Sequence, residues 1–145
     1  MAELAGSRID HLNLSVPDLE RSVAFYTPAL EVLGITTLLA VPEDPEHDQL
    51  AMHGYGVGFK PFFWLVEKGR MGENVHLAFT SDDRDGVHRF WETALAAGAR
   101  PQLPPAVHAE YHSAYYGAFV LDPDGVSLEA VCHASEAADS TTGRI

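Results

Sequence analysis

The sequence predicts an α+β fold in which one β-α-β-β-β unit occurs twice. Two stretches with the same pattern carry this prediction: His11-Leu12-Asn13-Leu14-Ser15 and, 65 residues later, His76-Leu77-Ala78-Phe79-Thr80. At the same offset, Phe25-Tyr26 corresponds to Phe90-Trp91. Similarity over so long a period indicates two tandem βαβββ modules, which we expect to form a cup-shaped mixed sheet with helices outside.

The elements of the first module follow from the spacing of its apolar residues. Residues 9–16 alternate between apolar and polar side chains, as a half-buried strand does. Asp18 then caps a helix with apolar residues at helical spacing, which Gly34 ends. After it we expect strands over 35–41, 49–59 and 61–66, with a polar loop at 42–48.

The second module repeats this order. A strand is expected over 75–79, and Asp82 or Asp83 caps a helix that runs from about residue 84 to Gly98. Pro104-Pro105 argues against regular structure in the segment just downstream, residues 108–112.

A hairpin closes the chain. Strand signals return at 115–121, and Asp122-Pro123-Asp124-Gly125 has the residues of a tight turn before a last strand at 127–131. If Leu121 faces Val126, Ala118 lies across from Glu129 and Tyr116 shares the face of Glu129. A different turn register favours Tyr115 instead.

Length and composition predict one globular domain and exclude some partners. The formal charge is −12 and the nine Lys and Arg residues are scattered, which argues against a nucleic-acid partner. No apolar run is long enough to span a membrane, and a single cysteine, Cys132, fits a cytoplasmic protein. We expect an N-terminal extension at 1–7, one domain at 8–133 with modules at 8–67 and 75–133, and a disordered tail at 134–145.

Three side chains predict a metal site. Glu129 lies among apolar residues in the last strand, where a carboxylate is costly unless it is paired or bound to a metal. Strand alternation places it on the face that also carries His11 and His76, on one concave surface. Two imidazoles and one carboxylate suit a divalent Fe, Mn, Zn, Ni or Co ion that keeps open positions for a small-molecule substrate.

Other residues of this surface are candidates for substrate binding and catalysis. Asn13, Phe62 and Trp64 share the face of the first module, although Phe62 and Trp64 are equally consistent with a core position. In the second module His112, Tyr115 and Tyr116 precede the hairpin and are the candidates for proton transfer. His108, Glu110 and His112 alternate, so on a strand they would share one face and could form a rival metal site. We favour the interpretation that they lie in a solvated loop.

The chain resembles a known superfamily. His11-Leu-Asn-Leu-Ser-Val-Pro-Asp-Leu-Glu-Arg-Ser with Phe25-Tyr26 resembles the opening module of the vicinal oxygen chelate proteins, and Asp122-Pro-Asp-Gly with Leu128-Glu129 resembles their closing hairpin. This superfamily comprises glyoxalase I, extradiol dioxygenases, and fosfomycin- and bleomycin-resistance proteins. The resemblance implies that His11, His76 and Glu129 are metal ligands, and family members often pair as homodimers.

The chain departs from that pattern at two positions. Glyoxalase I usually adds a carboxylate or amide ligand where the 65-residue offset places Trp64. A one-residue slip would place Phe63 or Leu65 there instead, and none of these side chains can coordinate a metal. Fosfomycin-modifying members carry Thr where this chain has Asn13. The resemblance therefore implies a metal-dependent, glyoxalase-like lyase or isomerase whose substrate chelates the metal through two adjacent oxygens. The alternatives are an Fe(II) extradiol-type dioxygenase and a metal-free protein that binds a small molecule or an antibiotic.

Overall fold

The computed structural model describes residues 7–135, which form two β-α-β-β-β modules. The first contains β1 (Leu12–Val16), α1 (Leu19–Glu31), β2 (Thr36–Val41), β3 (Met52–Val57) and β4 (Lys60–Glu67). The second contains β5 (His76–Thr80), α2 (Arg84–Ala96), β6 (Arg100–Val107), β7 (Tyr116–Leu121) and β8 (Ser127–Cys132). The predicted fold class is confirmed. Residues 1–6 of the expected extension and 136–145 of the expected tail lie outside the described residues.

Each module has its own four-stranded mixed sheet. The strand orders are β1-β4-β3-β2 and β5-β8-β7-β6. In both sheets the first strand pairs in parallel with the last strand of its module, and the remaining pairs are antiparallel. β1 and β5 are therefore edge strands, so the two sheets are separate rather than continuous.

The two modules share one hydrophobic core on the helix-covered faces of their sheets. Leu14 and Val16 of β1 are buried there, as the period-two pattern predicts. Phe63 of β4 meets Phe79 of β5 edge-on, with ring centroids 5.3 Å apart, which joins the two halves. Burial of such side chains contributes about 25 cal/mol for each Å² of apolar surface, so this core is the main source of stability.

The helix ends follow the predicted signals. Asp18 accepts a hydrogen bond from the backbone N–H of Arg21, and Asp83, one of the two predicted caps, accepts one from Gly86. Gly34 and Gly98 follow the helices with φ of 79° and 111°, a left-handed conformation that favours glycine.

The proline-rich segment of the second module forms the first of the three strands after α2, a strand whose position the sequence did not indicate. Residues 100–107, which contain Pro104 and Pro105, form β6. This strand lies at the edge of its sheet and its pairing with β7 is interrupted by two register shifts. Proline has no N–H to donate, and an edge strand with bulges tolerates that loss.

The final hairpin pairs one residue away from the expected register. Leu121 lies opposite Ser127, and Phe119 rather than Ala118 lies opposite Glu129. The backbone N–H of Asp122 donates to the carbonyl of Val126 at 2.8 Å, so the turn has three residues instead of four between its closing pair. A shift of one residue moves every side chain of the strand to the other face.

Candidate active site

His76 and Glu129 meet on the face of the second sheet that lies away from the helices. They are carried by neighbouring parallel strands, on which Ala78 lies opposite Glu129. His76 Nε2 is 2.9 Å from Glu129 Oε1. The carboxylate is only 2% exposed, whereas the imidazole is 42% exposed. A carboxylate so deeply buried requires a polar partner. His76 is such a partner, and its exposed ring makes the pair accessible from solvent.

The neighbours of His76 determine where its proton lies. Ser127 Oγ donates to Gln102 Oε1 at 3.0 Å, so the same oxygen accepts the Nδ1–H of His76, 2.9 Å away. The neutral imidazole then carries its lone pair on Nε2, which faces a carboxylate oxygen. Two acceptors at 2.9 Å require a proton or a metal ion between them. This is the hydrogen-bond arrangement of a metal-ligating histidine, so this pair fits a metal ion.

The second oxygen of Glu129 is bound by a tyrosine. The Tyr115 hydroxyl donates to Glu129 Oε2. Burial, and next the hydrogen bond to this carboxylate, raise the pKa of Tyr115 well above its ordinary value, so the phenol stays protonated. Phe119 stacks on the His76 ring with centroids 5.7 Å apart. Glu129 and His76 are thus enclosed by aromatic rings.

His11 lies in the other module and is prepared in the same way. Its side chain is 52% exposed, and Nδ1 is 2.7 Å from Asp10 Oδ2, so a neutral His11 carries its lone pair on Nε2. Asp10 also binds Lys60 Nζ at 2.8 Å. Hydrogen bonds from Lys60 and then His11 lower the pKa of Asp10, which keeps it ionised. His11 is therefore poised to bind a metal through Nε2.

The structure does not bring His11 to the other two predicted ligands within one chain. Between residues 7 and 135, no three His, Cys, Asp or Glu side chains lie close enough to hold a metal ion together. The described part of one chain therefore does not assemble the three predicted ligands into one metal site. A crevice of about 1170 Å³ separates the edge strands β1 and β5, and its walls include Leu12, Phe62 and His76.

The first module provides an aromatic surface near His11. Asn13 and Trp64 are register partners on β1 and β4, and both are at least partly accessible. The six-membered ring of Trp64 lies over Gly54, where a Cβ would come within 2.7 Å of the indole. Gly54 thus makes room for this indole, which lies opposite Asn13 as Glu129 lies opposite Ala78.

Of the candidates for proton transfer, Tyr115 binds Glu129, His112 packs against the Tyr115 ring, and Tyr116 lies on the other face of the sheet. Tyr116 points to the helix side, where its hydroxyl is 2.6 Å from His88 Nε2 and Arg84 lies 4.6 Å from the ring centroid. The one-residue change in hairpin register explains this correction. The structure agrees with the alternative that places Tyr115 beside Glu129. The sequence could not choose between three and four residues in the turn.

His112 belongs to a histidine pair and not to a rival metal site. Its Nε2 is 2.8 Å from Nδ1 of His133, and the two rings stack with centroids 5.1 Å apart. His108 instead contacts Glu110, at 3.1 Å, in a loop. Sequence reasoning also missed Ser127 and Gln102, although a hydroxyl two residues before Glu129 on the same strand face was a signal for the former.

Comparisons with known proteins show the family to which the chain belongs. The sequence profile of the Glyoxalase/Bleomycin resistance protein/Dioxygenase superfamily matches residues 8–130. The chain belongs to this superfamily, which confirms the resemblance. None of the helices within residues 7–135 has the length and apolar character needed to cross a membrane.

Particular relatives are similar over nearly the whole chain. A lactoylglutathione lyase of Salmonella typhimurium is 34% identical to this chain. The alignment covers 94% of this chain and 97% of the relative. A probable lactoylglutathione lyase of Vibrio parahaemolyticus is 31% identical over 88% of this chain and 92% of its own. These relatives confirm the expectation of an enzyme of the glyoxalase type.

Solved structures support the fold. A glyoxalase/bleomycin resistance protein from Albidiferax ferrireducens superposes with a TM-score of 0.72 at 23% identity, over 87% of this chain and 99% of that one.

Proposed function

We propose that this protein is a metal-dependent, glyoxalase-type lyase or isomerase whose substrate is a small molecule with two adjacent oxygens. The observation that carries the proposal is the contact of His76 Nε2 with Glu129 Oε1 at 2.9 Å, with a hydrogen-bond relay that leaves the lone pair on Nε2. The curated relatives named lactoylglutathione lyase support the reaction class. A cytoplasmic location, expected from the single cysteine, belongs to the same proposal.

The proposed ligands are His11, His76 and Glu129. A divalent ion bound by them would supply Lewis-acid stabilisation of an oxyanion on the substrate. Asp10 and Ser127 orient the two imidazoles, and Tyr115 keeps its proton beside the carboxylate. Phe119 and Trp64 exclude water from the substrate, and Asn13 is a further candidate contact on the first module.

The substrate proposal is limited to the two adjacent oxygens. The relatives are named for lactoylglutathione, but Trp64 occupies the position at which the glyoxalase I pattern has a fourth ligand. An indole cannot coordinate a metal, so one more position stays open for substrate oxygens. We therefore propose that the substrate of this protein chelates the metal through two oxygens, as the resemblance implies, but we do not propose that it carries a glutathione group.

A homodimer would complete the ligand set. His11 is separated from His76 and Glu129 within one chain, and both histidines are accessible to solvent. In a two-fold symmetric dimer, His11 of a second copy would reach the His76–Glu129 pair, and the reverse contact would build a second site. Neither imidazole has to change its hydrogen bonds to accept the ion.

Mixing two inactive variants tests both the metal and the dimer. His11→Ala and Glu129→Ala are each expected to lose bound metal and lyase activity. If the site is shared, mixed dimers regain one intact site of two, and an equimolar mixture recovers about a quarter of the wild-type metal and activity. If each site belongs to one chain, the mixture stays inactive. Wild-type protein that binds no divalent ion would overturn the whole proposal in favour of metal-free binding.

A second candidate follows from the same donor set. Two histidines and one carboxylate with open positions are the ligands of Fe(II) oxygenases. Oxygen uptake by the Fe(II) protein with a catechol would identify the extradiol-type dioxygenase. Lyase turnover without oxygen uptake, with Zn, Ni, Co or Mn, would identify the first candidate.

A further inference from the structure

The Glu129 carboxylate lies in a cradle that the sequence of β7 forms. A Cβ on Gly117 would lie 2.9 Å from Glu129 Oε2 and 3.4 Å from the ring of Tyr115. Contacts this short force the neighbour to move, so only glycine leaves room for the carboxylate in its observed position. Gly117 and Tyr115 lie two residues apart and approach the same oxygen.

Tyr115 is itself held by a fixed group of rings. The rings of His112 and His133 meet it nearly edge-on, with centroids 5.5 Å and 5.4 Å away, and Tyr111 packs at 4.8 Å. The backbone N–H of Ala114 donates to His112 Nδ1 at 3.1 Å. His112 therefore carries its proton on Nε2 and donates it to His133 Nδ1. This pairing fixes both rings, and with them the direction of the Tyr115 hydroxyl.

We propose that Tyr115, held by the His112–His133 pair, is a positioning residue that orients the Glu129 carboxylate for metal binding. The proposal rests on the metal-dependent function above. The carboxylate could otherwise rotate and exchange its two oxygens. The Tyr115 hydroxyl binds Oε2, and this oxygen lies against Gly117. Oε1 is therefore the oxygen that faces His76, 2.9 Å from its Nε2.

Two adjacent tyrosines provide a matched experiment. Tyr115→Phe removes only the hydroxyl that binds Glu129 and keeps the packed ring. Tyr116→Phe makes the same chemical change one residue away, where the hydroxyl contacts His88 on the opposite face of the sheet. The readout is the dissociation constant of Zn²⁺ or Co²⁺ with the purified metal-free dimer, measured by competition with a chromophoric chelator, together with the absorption spectrum of the Co²⁺ form.

We expect Tyr115→Phe to bind metal about 10- to 100-fold more weakly, which is the usual effect of removing a hydrogen bond to a metal ligand. The Co²⁺ spectrum should also change, because the carboxylate is free to rotate. Tyr116→Phe should match the wild type in both readouts, even if its unfolding temperature falls. Gly117→Ala should weaken metal binding at least as much as Tyr115→Phe, since it displaces the carboxylate directly.

The outcomes separate this inference from the function on which it rests. Wild-type protein that binds no metal overturns the proposed function, and this inference with it. Wild-type binding that Tyr115→Phe leaves unchanged within about threefold, with an unchanged Co²⁺ spectrum, overturns the positioning role alone. An equal loss in Tyr115→Phe and Tyr116→Phe also overturns it, because a general loss of packing would then be the cause.

Discussion

Replacing Glu129 by glutamine should affect stability and metal binding in opposite directions. The glutamine carbonyl can accept the Tyr115 hydroxyl, and its amide group then faces His76 Nε2. In the wild type this contact joins two acceptors at 2.9 Å; in the variant it becomes an N–H···N hydrogen bond. A net hydrogen bond contributes about 1 kcal/mol. For a domain of this size that raises the unfolding temperature by about 2–4 °C.

Bound metal should reverse this order of unfolding temperatures, so that the wild type becomes the more stable protein. A ligand that binds only the folded state adds about 2.7 kcal/mol at 100 times its dissociation constant. The wild type should gain this stabilisation on addition of Zn²⁺, and Glu129→Gln should gain little because an amide nitrogen is a poor ligand. The assay is thermal unfolding at pH 8, first with a chelator and then with excess metal.

The result in chelator is the decisive one for the proton on His76. If metal-free Glu129→Gln unfolds several degrees below the wild type, Nε2 donates to Glu129 in the native protein. The argument that Nε2 keeps its lone pair for a metal ion would then be refuted. Gln102→Ala is a useful companion, since it removes the acceptor that orients Ser127.

Two further predictions concern other parts of the chain. Trp64→Glu places a carboxylate at the position that corresponds to the fourth ligand, so it should tighten metal binding relative to Trp64→Leu in the same chelator competition; equal affinities would show that residue 64 lies too far from the site. Asp122 is buried, which raises its pKa above 3.8 despite three hydrogen bonds. A raised acid pKa stabilises the fold at low pH, and this contribution is lost as the pH rises through that pKa. The wild type should therefore gain unfolding free energy relative to Asp122→Asn when the pH is lowered from 7 to about 4. A difference between the two proteins that stays constant or grows as the pH rises would contradict the raised pKa of Asp122.

The sequence predicts the modules well because each is encoded locally. Alternation around Leu14 and helical spacing around Phe25 depend only on which face of an element is buried, and the structure buries both residues. The repeat then places His76 where His11 lies in the first module. The 65-residue offset also correctly identifies Trp64 as the counterpart of Glu129, since each pairs with the first strand of its own module, opposite Asn13 and Ala78.

The details that failed depend on geometry that no local pattern records. Three or four residues in the turn after Asp122 suit the same Pro-Asp-Gly sequence, yet the choice decides whether Tyr115 or Tyr116 meets Glu129. Pro104 in β6 is acceptable only because the strand lies at an edge, and sheet order is a property of the whole module. These are long-range facts.

The contacts between the modules bear on the proposal that a site is shared between two chains. The Tyr26 hydroxyl of α1 donates to Asp122 Oδ2 at 2.5 Å, and Phe63 packs against Phe79. Both contacts join the helix-covered faces, so the opposite faces, with His11 on one and His76 on the other, remain accessible. In the proposed homodimer, a second copy would complete the ligand set while these buried contacts stay as they are. The mixing experiment with His11→Ala and Glu129→Ala therefore tests association of two chains and not a rearrangement of the core.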